Sequence, residues 1–98
     1  MPGYQLTIPA QNDIEKIWEY TADIWSIFQA DKYIDGLLLT FDRIADRKVE
    51  GKSIESIRKG YRKVLFHKHY IFFRVLSDAD IEIIRVLHVS MDVENRLS

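Results

Sequence analysis

The sequence predicts an α+β domain: a short N-terminal strand, an antiparallel helical hairpin on a mainly antiparallel sheet, and a short C-terminal helix or tail, in the order β-α-α-β-β-β. Three observations predict it. Two consecutive stretches, residues 14–28 and 30–45, repeat apolar side chains at helical spacing. The break between them is too short for anything but an antiparallel turn. A third stretch, Arg58 to Asp92, is dense in β-branched and aromatic residues and reads as three short strands in series.

Tyr4-Gln5-Leu6-Thr7-Ile8 alternates apolar and polar residues, the pattern of a brief strand with one buried face. Pro9 follows and suits the first turn of a helix, where its missing N–H would be unpaired anyway. Asp13 and Glu15 add negative charge near that N-terminus, where the helix dipole favours it. The first helical stripe is Ile14, Ile17, Trp18, Thr21, Ile24, Trp25 and Phe28, with Glu15, Lys16, Glu19 and Asp23 mostly on the other side. The second is Ala30, Tyr33, Ile34, Leu37, Leu38, Phe41, Ile44 and Ala45, so the break is expected around Phe28-Gln29. Gly36 inside the second helix costs about 1 kcal/mol relative to Ala, and close packing against the first helix is its expected reason.

Arg47 to Lys52 is a polar connector whose Arg47 and Lys48 suit a helix C-terminus. Ser53 to Ile57 reads equally as a turn or as a short extended segment. Ile71-Phe72-Phe73 and Ile81 to Leu87 follow as strands, separated by the polar turn Ser77-Asp78-Ala79-Asp80. Ser90 to Leu97 is the final helix or tail. Strict alternation in the last strand puts Ile81, Ile83, Arg85 and Leu87 on one face and Glu82, Ile84, Val86 and His88 on the other. Both faces are then apolar in the middle. One packs under the helices; the other requires a partner or the folded-back C-terminus.

The 98 residues, 47% apolar and 30% charged, suit one globular domain spanning 1–98. The absence of cysteine removes disulfides, thiolate metal sites and cysteine nucleophiles together. Met1-Pro2-Gly3-Tyr4 lacks the basic start and apolar run of a signal peptide, and no apolar run approaches the ~20 residues that span a bilayer. A soluble, cytoplasmic protein with no membrane partner is expected. Net charge is −1, which argues against a dedicated nucleic-acid binder. Charge is nonetheless uneven: residues 1–49 carry 8 acidic and 5 basic side chains, residues 50–98 carry 7 and 9. Arg58 through Arg74 holds six of those cations with His67 and His69 and no carboxylate.

Chemistry is sparse. His67, His69 and His88 occur without an HExxH pattern or an evident third ligand set, so no metal site is expected. The glycines are isolated, which excludes phosphate-cradling loops. Ser53, Ser56 and Ser90 stand in no elbow-like context for a nucleophile. What remains is Arg58, Arg62, Arg74, Arg85 and His88, with Tyr61. Clustered, they could bind phosphates or cleave RNA by general acid–base chemistry; alternatively they pair with Glu55, Glu82 and Asp92 at the sheet surface.

At these residues the sequence resembles the ParE toxins of the RelE/ParE superfamily, from bacterial type II toxin–antitoxin operons. The resemblance runs nearly end to end: Asp13-Ile14-Glu15-Lys16-Ile17-Trp18-Glu19-Tyr20-Thr21 with Trp25, then Ala30 and Tyr33, then Ile57-Arg58-Lys59-Gly60-Tyr61-Arg62. His69-Tyr70-Ile71-Phe72-Phe73-Arg74-Val75 continues it, and the closing Ile84-Arg85-Val86-Leu87-His88-Val89-Ser90-Met91-Asp92 is its most specific part. The resemblance implies a growth-arresting toxin that inhibits DNA gyrase by protein–protein contact, with no catalytic residue and no cofactor. It implies a hetero-oligomeric complex with a ParD-type antitoxin, and operator DNA bound only through that antitoxin. Arg58, Tyr61, Arg62, Arg74, Arg85, His88, Met91 and Asp92 are the residues expected to meet the target or the antitoxin. Two departures bear on the target. Many ParE chains are basic overall, and Val49-Glu50 stands before Gly51 where proline is common. The alternative is a ribosome-dependent mRNA endoribonuclease of the RelE type, with His88 near the terminal catalytic position and Arg62 or Lys63 near a basic one.

Overall fold

The computed structural model describes residues 3–76 and 80–97. Its elements are β1 (Gly3–Leu6), α1 (Ile8–Ile24), α2 (Ile27–Ala45), β2 (Lys52–Ser53), β3 (Arg62–Phe66), β4 (His69–Val75), β5 (Asp80–His88) and α3 (Val93–Leu97). They form the expected α+β arrangement, with one strand more than the sequence order suggested. The five strands lie in the order β1-β5-β4-β3-β2. β1 runs parallel to β5, and every other pair is antiparallel. The extra strand, β2, takes in only Ser53 of the ambiguous Ser53 to Ile57 segment, whose residues 55–57 are a turn, and pairs Lys52 with Lys63 and Ser53 with Arg62. The expected turn at Ser77-Asp78-Ala79-Asp80 lies, except for Asp80, outside the described residues.

The helical hairpin breaks earlier than apolar spacing suggested. Thr7, read as part of the strand, is instead the N-cap of α1: its hydroxyl accepts from the Ala10 N–H at 3.1 Å. α1 closes at Trp25, whose N–H reaches Thr21 O, and Ser26 caps α2 by accepting from the Gln29 N–H at 3.0 Å. A serine hydroxyl that satisfies an orphan helical N–H decides the boundary over a continuing apolar stripe. The break is therefore at Trp25-Ser26, not Phe28-Gln29. The Trp18 indole N–H donates to Asp31 at 2.8 Å and ties the two helices.

The main core lies between the helical hairpin and the sheet and contains Ile17, Leu37, Phe41, Ile44, Ile71, Phe73, Ile81, Ile83 and Val86. Strict alternation in β5 fails inside it. Phe72 pairs with Arg85 but Phe73 pairs with Ile83, so Ile84 is an extra residue, a β-bulge. Past the bulge every side chain changes face. Ile81, Ile83 and Val86 consequently share the main core, while Ile84 and Leu87 join Phe72 on the opposite face. That second face is covered from within the chain: Ile54, Ile57 and Tyr61 of the β2–β3 connection pack there with Val93 and Leu97 of α3. The folded-back C-terminus is thus one of two covers.

Two glycines carry geometry. A Cβ on Gly36 would sit 3.0 Å from the Phe66 ring, so the close approach in α2 is to β3 and not to α1 as expected. Gly51 has φ +73° and a Cβ there would meet Lys63 O at 2.6 Å, which bars any other residue from this bend.

Candidate interaction surface

The end of the helical hairpin is the most apolar part of the surface. Tyr20, Ile24, Trp25, Ile27 and Phe28 are all more than half exposed, Trp25 and Phe28 by 75% and 76%. Ser26 creates this tip: by starting a new helix it turns the last part of the α1 stripe away from the sheet. Five large apolar side chains exposed together are more than a lone domain of this size ordinarily shows. Among the described residues no helix is long and apolar enough to cross a membrane.

Beside the tip runs an open groove of about 1000 Å³, bounded by α1 and α2, the β3–β4 turn and the end of β5. Three of its lining rings, Tyr33, His69 and His88, are in contact in series. Tyr33 Oη lies 2.7 Å from His69 Nδ1, and His69 faces His88 edge-on across the β4–β5 ladder with ring centroids 5.5 Å apart. His88 Nδ1 in turn lies 2.8 Å from Ser90 Oγ and accepts from the Ser90 N–H at 3.1 Å. Burial, helped by the neighbouring His88, pushes the His69 pKa down to about 4 against the opposing pull of Asp13, so the ring is neutral at neutral pH. Burial also raises the Tyr33 pKa, although the Lys68 backbone N–H opposes it. The β3–β4 turn at the rim is strained: His67 holds a left-handed φ of 51°, uncommon for a residue with a Cβ. Among the described residues, no group of three or more histidines and carboxylates is placed to hold a metal ion.

The residues singled out in the sequence are distributed over several places. Arg58 lies 5.8 Å over the Tyr61 ring, on the face closed by α3. Arg62 donates to the Glu50 and Gly51 carbonyls at 2.8 and 3.0 Å and so braces the connector. Arg74 pairs with Glu82 at 2.8 Å in a half-exposed ladder contact. Met91 is exposed and Asp92, just before α3, accepts from the Asn95 amide. His88 alone of this set reaches the groove.

Arg85 is the most constrained. Its guanidinium makes a two-point contact with Asp13 of α1, Nε to Oδ2 at 2.7 Å and Nη2 to Oδ1 at 2.8 Å, and donates to Arg96 O at 3.3 Å. The same Asp13 Oδ2 accepts from the Val86 N–H at 3.0 Å. β1 stops opposite Ile83, so β5 beyond that point has no strand on this side. Thr7 and Asp13 supply the missing partners, Thr7 by donating from N–H to Ile83 O and from Oγ1 to Ile84 O. The hydrogen bonds that Arg85 donates to Asp13 raise the Arg85 pKa further, burial opposing. Asp13, expected to favour the helix dipole, is therefore an anchor between α1 and β5.

Sequence reasoning missed Trp25 as a surface residue, and it missed Tyr33, Lys68 and His69 as one site. The signal was partly present, since His69 opens one strand motif and His88 lies within the other. Nothing local showed that they are cross-strand neighbours.

The comparisons with known proteins agree with this architecture. Residues 4–93 match the family model for the ParE toxin of the type II toxin–antitoxin system, parDE. The chain is 39% identical over 94 residues to Toxin ParE1 of Mycobacterium tuberculosis (strain CDC 1551 / Oshkosh), covering 96% of each chain. It is 37% identical over 97 residues to Toxin ParE1 of Caulobacter vibrioides, covering 99% of each. The fold superposes with a TM-score of 0.77 on a chain of the chromosomal ParDE system from P. aeruginosa, at 20% identity and over 92% of this chain and 98% of that one. With the family motifs present in β4 and β5 and the match running from β1 to α3, this chain belongs to the ParE toxin family of type II toxin–antitoxin systems.

Proposed function

We propose that this toxin arrests growth by inhibiting DNA gyrase through protein–protein contact, performs no bond-breaking chemistry, and is neutralised in the cytoplasm by a ParD-type antitoxin. The observation that carries the protein-contact reading is the exposed hairpin tip, where Trp25 and Phe28 offer the aromatic anchors on which tight interfaces concentrate their energy. An amphipathic helix of the antitoxin, laid along the tip and the adjoining groove, would bury these rings and set acidic side chains against Lys32 and Lys68. Gyrase as target follows from the family resemblance in β4 and β5. Within this reading Arg58, Tyr61, Arg74, His88, Met91 and Asp92 offer side chains to a partner. Arg62 and Arg85, engaged by backbone carbonyls and by Asp13, act by holding the connector and β5 in place.

The test is a supercoiling assay with purified gyrase, run with toxin alone and with toxin plus its antitoxin. Inhibition that the antitoxin relieves is the expected result. Unimpaired supercoiling at large toxin excess, together with site-specific mRNA cutting on ribosomes that His88→Ala abolishes, would replace this reading with the ribonuclease one.

A further inference from the structure

We propose that the free toxin pairs with a second copy of itself through the hairpin tip, each copy's Trp25 and Phe28 entering the other's groove and each Asp23 meeting the partner's Lys68. A two-fold axis lays one surface patch onto itself, so every protrusion needs a hollow on that same patch. The tip and the groove supply the two side by side. Tyr20, Ile24, Trp25, Ile27 and Phe28 are exposed at the end of the hairpin, and the groove of about 1000 Å³ opens beside them. Its wall carries the Tyr33 and Phe66 rings, packed edge to face at 5.1 Å, which offer aromatic surface to an incoming ring. The five tip residues leave on the order of 800 Å² uncovered, which is what each side of a specific interface ordinarily buries.

Charge selects a second copy in the same way. Asp23 is the one charged residue between Tyr20 and Gln29, and it is exposed. The groove is lined by Lys32 and Lys68 and by no aspartate or glutamate. Among the described residues neither Asp23 nor either lysine makes an ion pair. Lys32 has Asp31 and Asp35 beside it on its own helix, whereas Lys68 is flanked by His67 and His69, so Lys68 is the less compensated cation. One chain thus carries an acidic protrusion beside a basic hollow, and a two-fold axis makes both contacts at once. Where the antitoxin occupies the tip as proposed above, it displaces the second copy; the pairing itself does not rest on that reading.

The test is sedimentation of the isolated full chain at tens of micromolar, with neither gyrase nor antitoxin present, so its outcome is independent of the toxin reading. A species of twice the 11.6 kDa chain mass is expected. Trp25→Ala and Phe28→Ala, both at exposed positions, should each weaken the pairing roughly a hundredfold while the far-UV circular dichroism stays that of the parent. Asp23→Lys and Lys68→Glu should each weaken it roughly tenfold, because every reversal acts at two symmetry-related contacts. The two reversals combined in one chain should restore the parent's affinity, which a loss of fold or of unrelated contacts would not do. A monomer at the same concentration would leave the tip to a different protein and overturn the proposal. So would a dimer that Trp25→Ala and Phe28→Ala leave unchanged, or a combined reversal that pairs no better than either single one.

Discussion

Two polar regions of β5, one at its bulge and one at its C-terminal end, have been treated in contrary ways. At the bulge, Arg85 is turned inward and fully engaged by Asp13, and a neighbouring backbone N–H shares the same carboxylate. At the strand's end, His88 and its partner His69 both line an open groove, His88 with its Nδ1 accepting from the Ser90 N–H. The first region spends its polar groups on joining a helix to a strand that has lost its neighbour. The second leaves them available. Polar side chains of one family motif, three residues apart in sequence, are thus treated differently: Arg85 is engaged within the fold, and His88 is left at an open groove.

The sharpest way to break this comparison is to remove Asp13. Asp13→Ala leaves a mostly buried guanidinium and the Val86 N–H without their acceptor, and should cost about 3–4 kcal/mol in denaturant unfolding. A loss under about 1 kcal/mol would mean that the pair does not hold α1 to β5. Gly51→Ala should follow at roughly 2 kcal/mol or more, because a left-handed φ and a clash with the Lys63 carbonyl act together. A thermal melt that matches the parent would show that the connector can move at no cost.

Acid should separate the two regions. His69 has its folded pKa depressed from 6.5 to about 4, so the unfolded chain takes up the proton first as pH falls. Its contribution to stability is complete above pH 6.5 and is lost between there and about pH 4. His69→Gln should flatten the stability curve within that window; an unchanged slope would assign the acid sensitivity elsewhere. The smallest effect belongs to the tip. Trp25→Ala with Phe28→Ala should change stability by no more than about 0.5 kcal/mol per site, since both rings are exposed. The same pair should weaken antitoxin binding by two orders of magnitude or so, as truncated aromatic anchors do. Normal affinity in a pull-down or by calorimetry would move the interface away from the hairpin.

The helices, the inward stripe of α2 and the apolar strands are legible from the chain, because helical and strand periodicities are local properties, whereas the stripe of α1 runs on into the exposed Ile24, Trp25 and Phe28. Leu37, Phe41, Ile44, Ile71 and Phe73 could be assigned to a core without knowing its shape, and all are buried. Family membership was legible too, since the strand motifs are contiguous. The helix boundary was not, because one hydroxyl at Ser26 outweighs a repeating pattern that continues past it. Nor was the face of each β5 residue: a single extra residue at Ile84 reverses the alternation, and its cause lies in the pairing with β4.

Periodicity by itself therefore determined an α+β domain with a helical hairpin over a sheet, and the contiguous strand motifs determined its family. Only the tertiary structure decided that Arg85 belongs to Asp13, 72 residues earlier, and that His69 and His88 stand side by side beneath Tyr33. The physical reason is that burial follows from what each residue is, whereas a partner follows from where the chain returns.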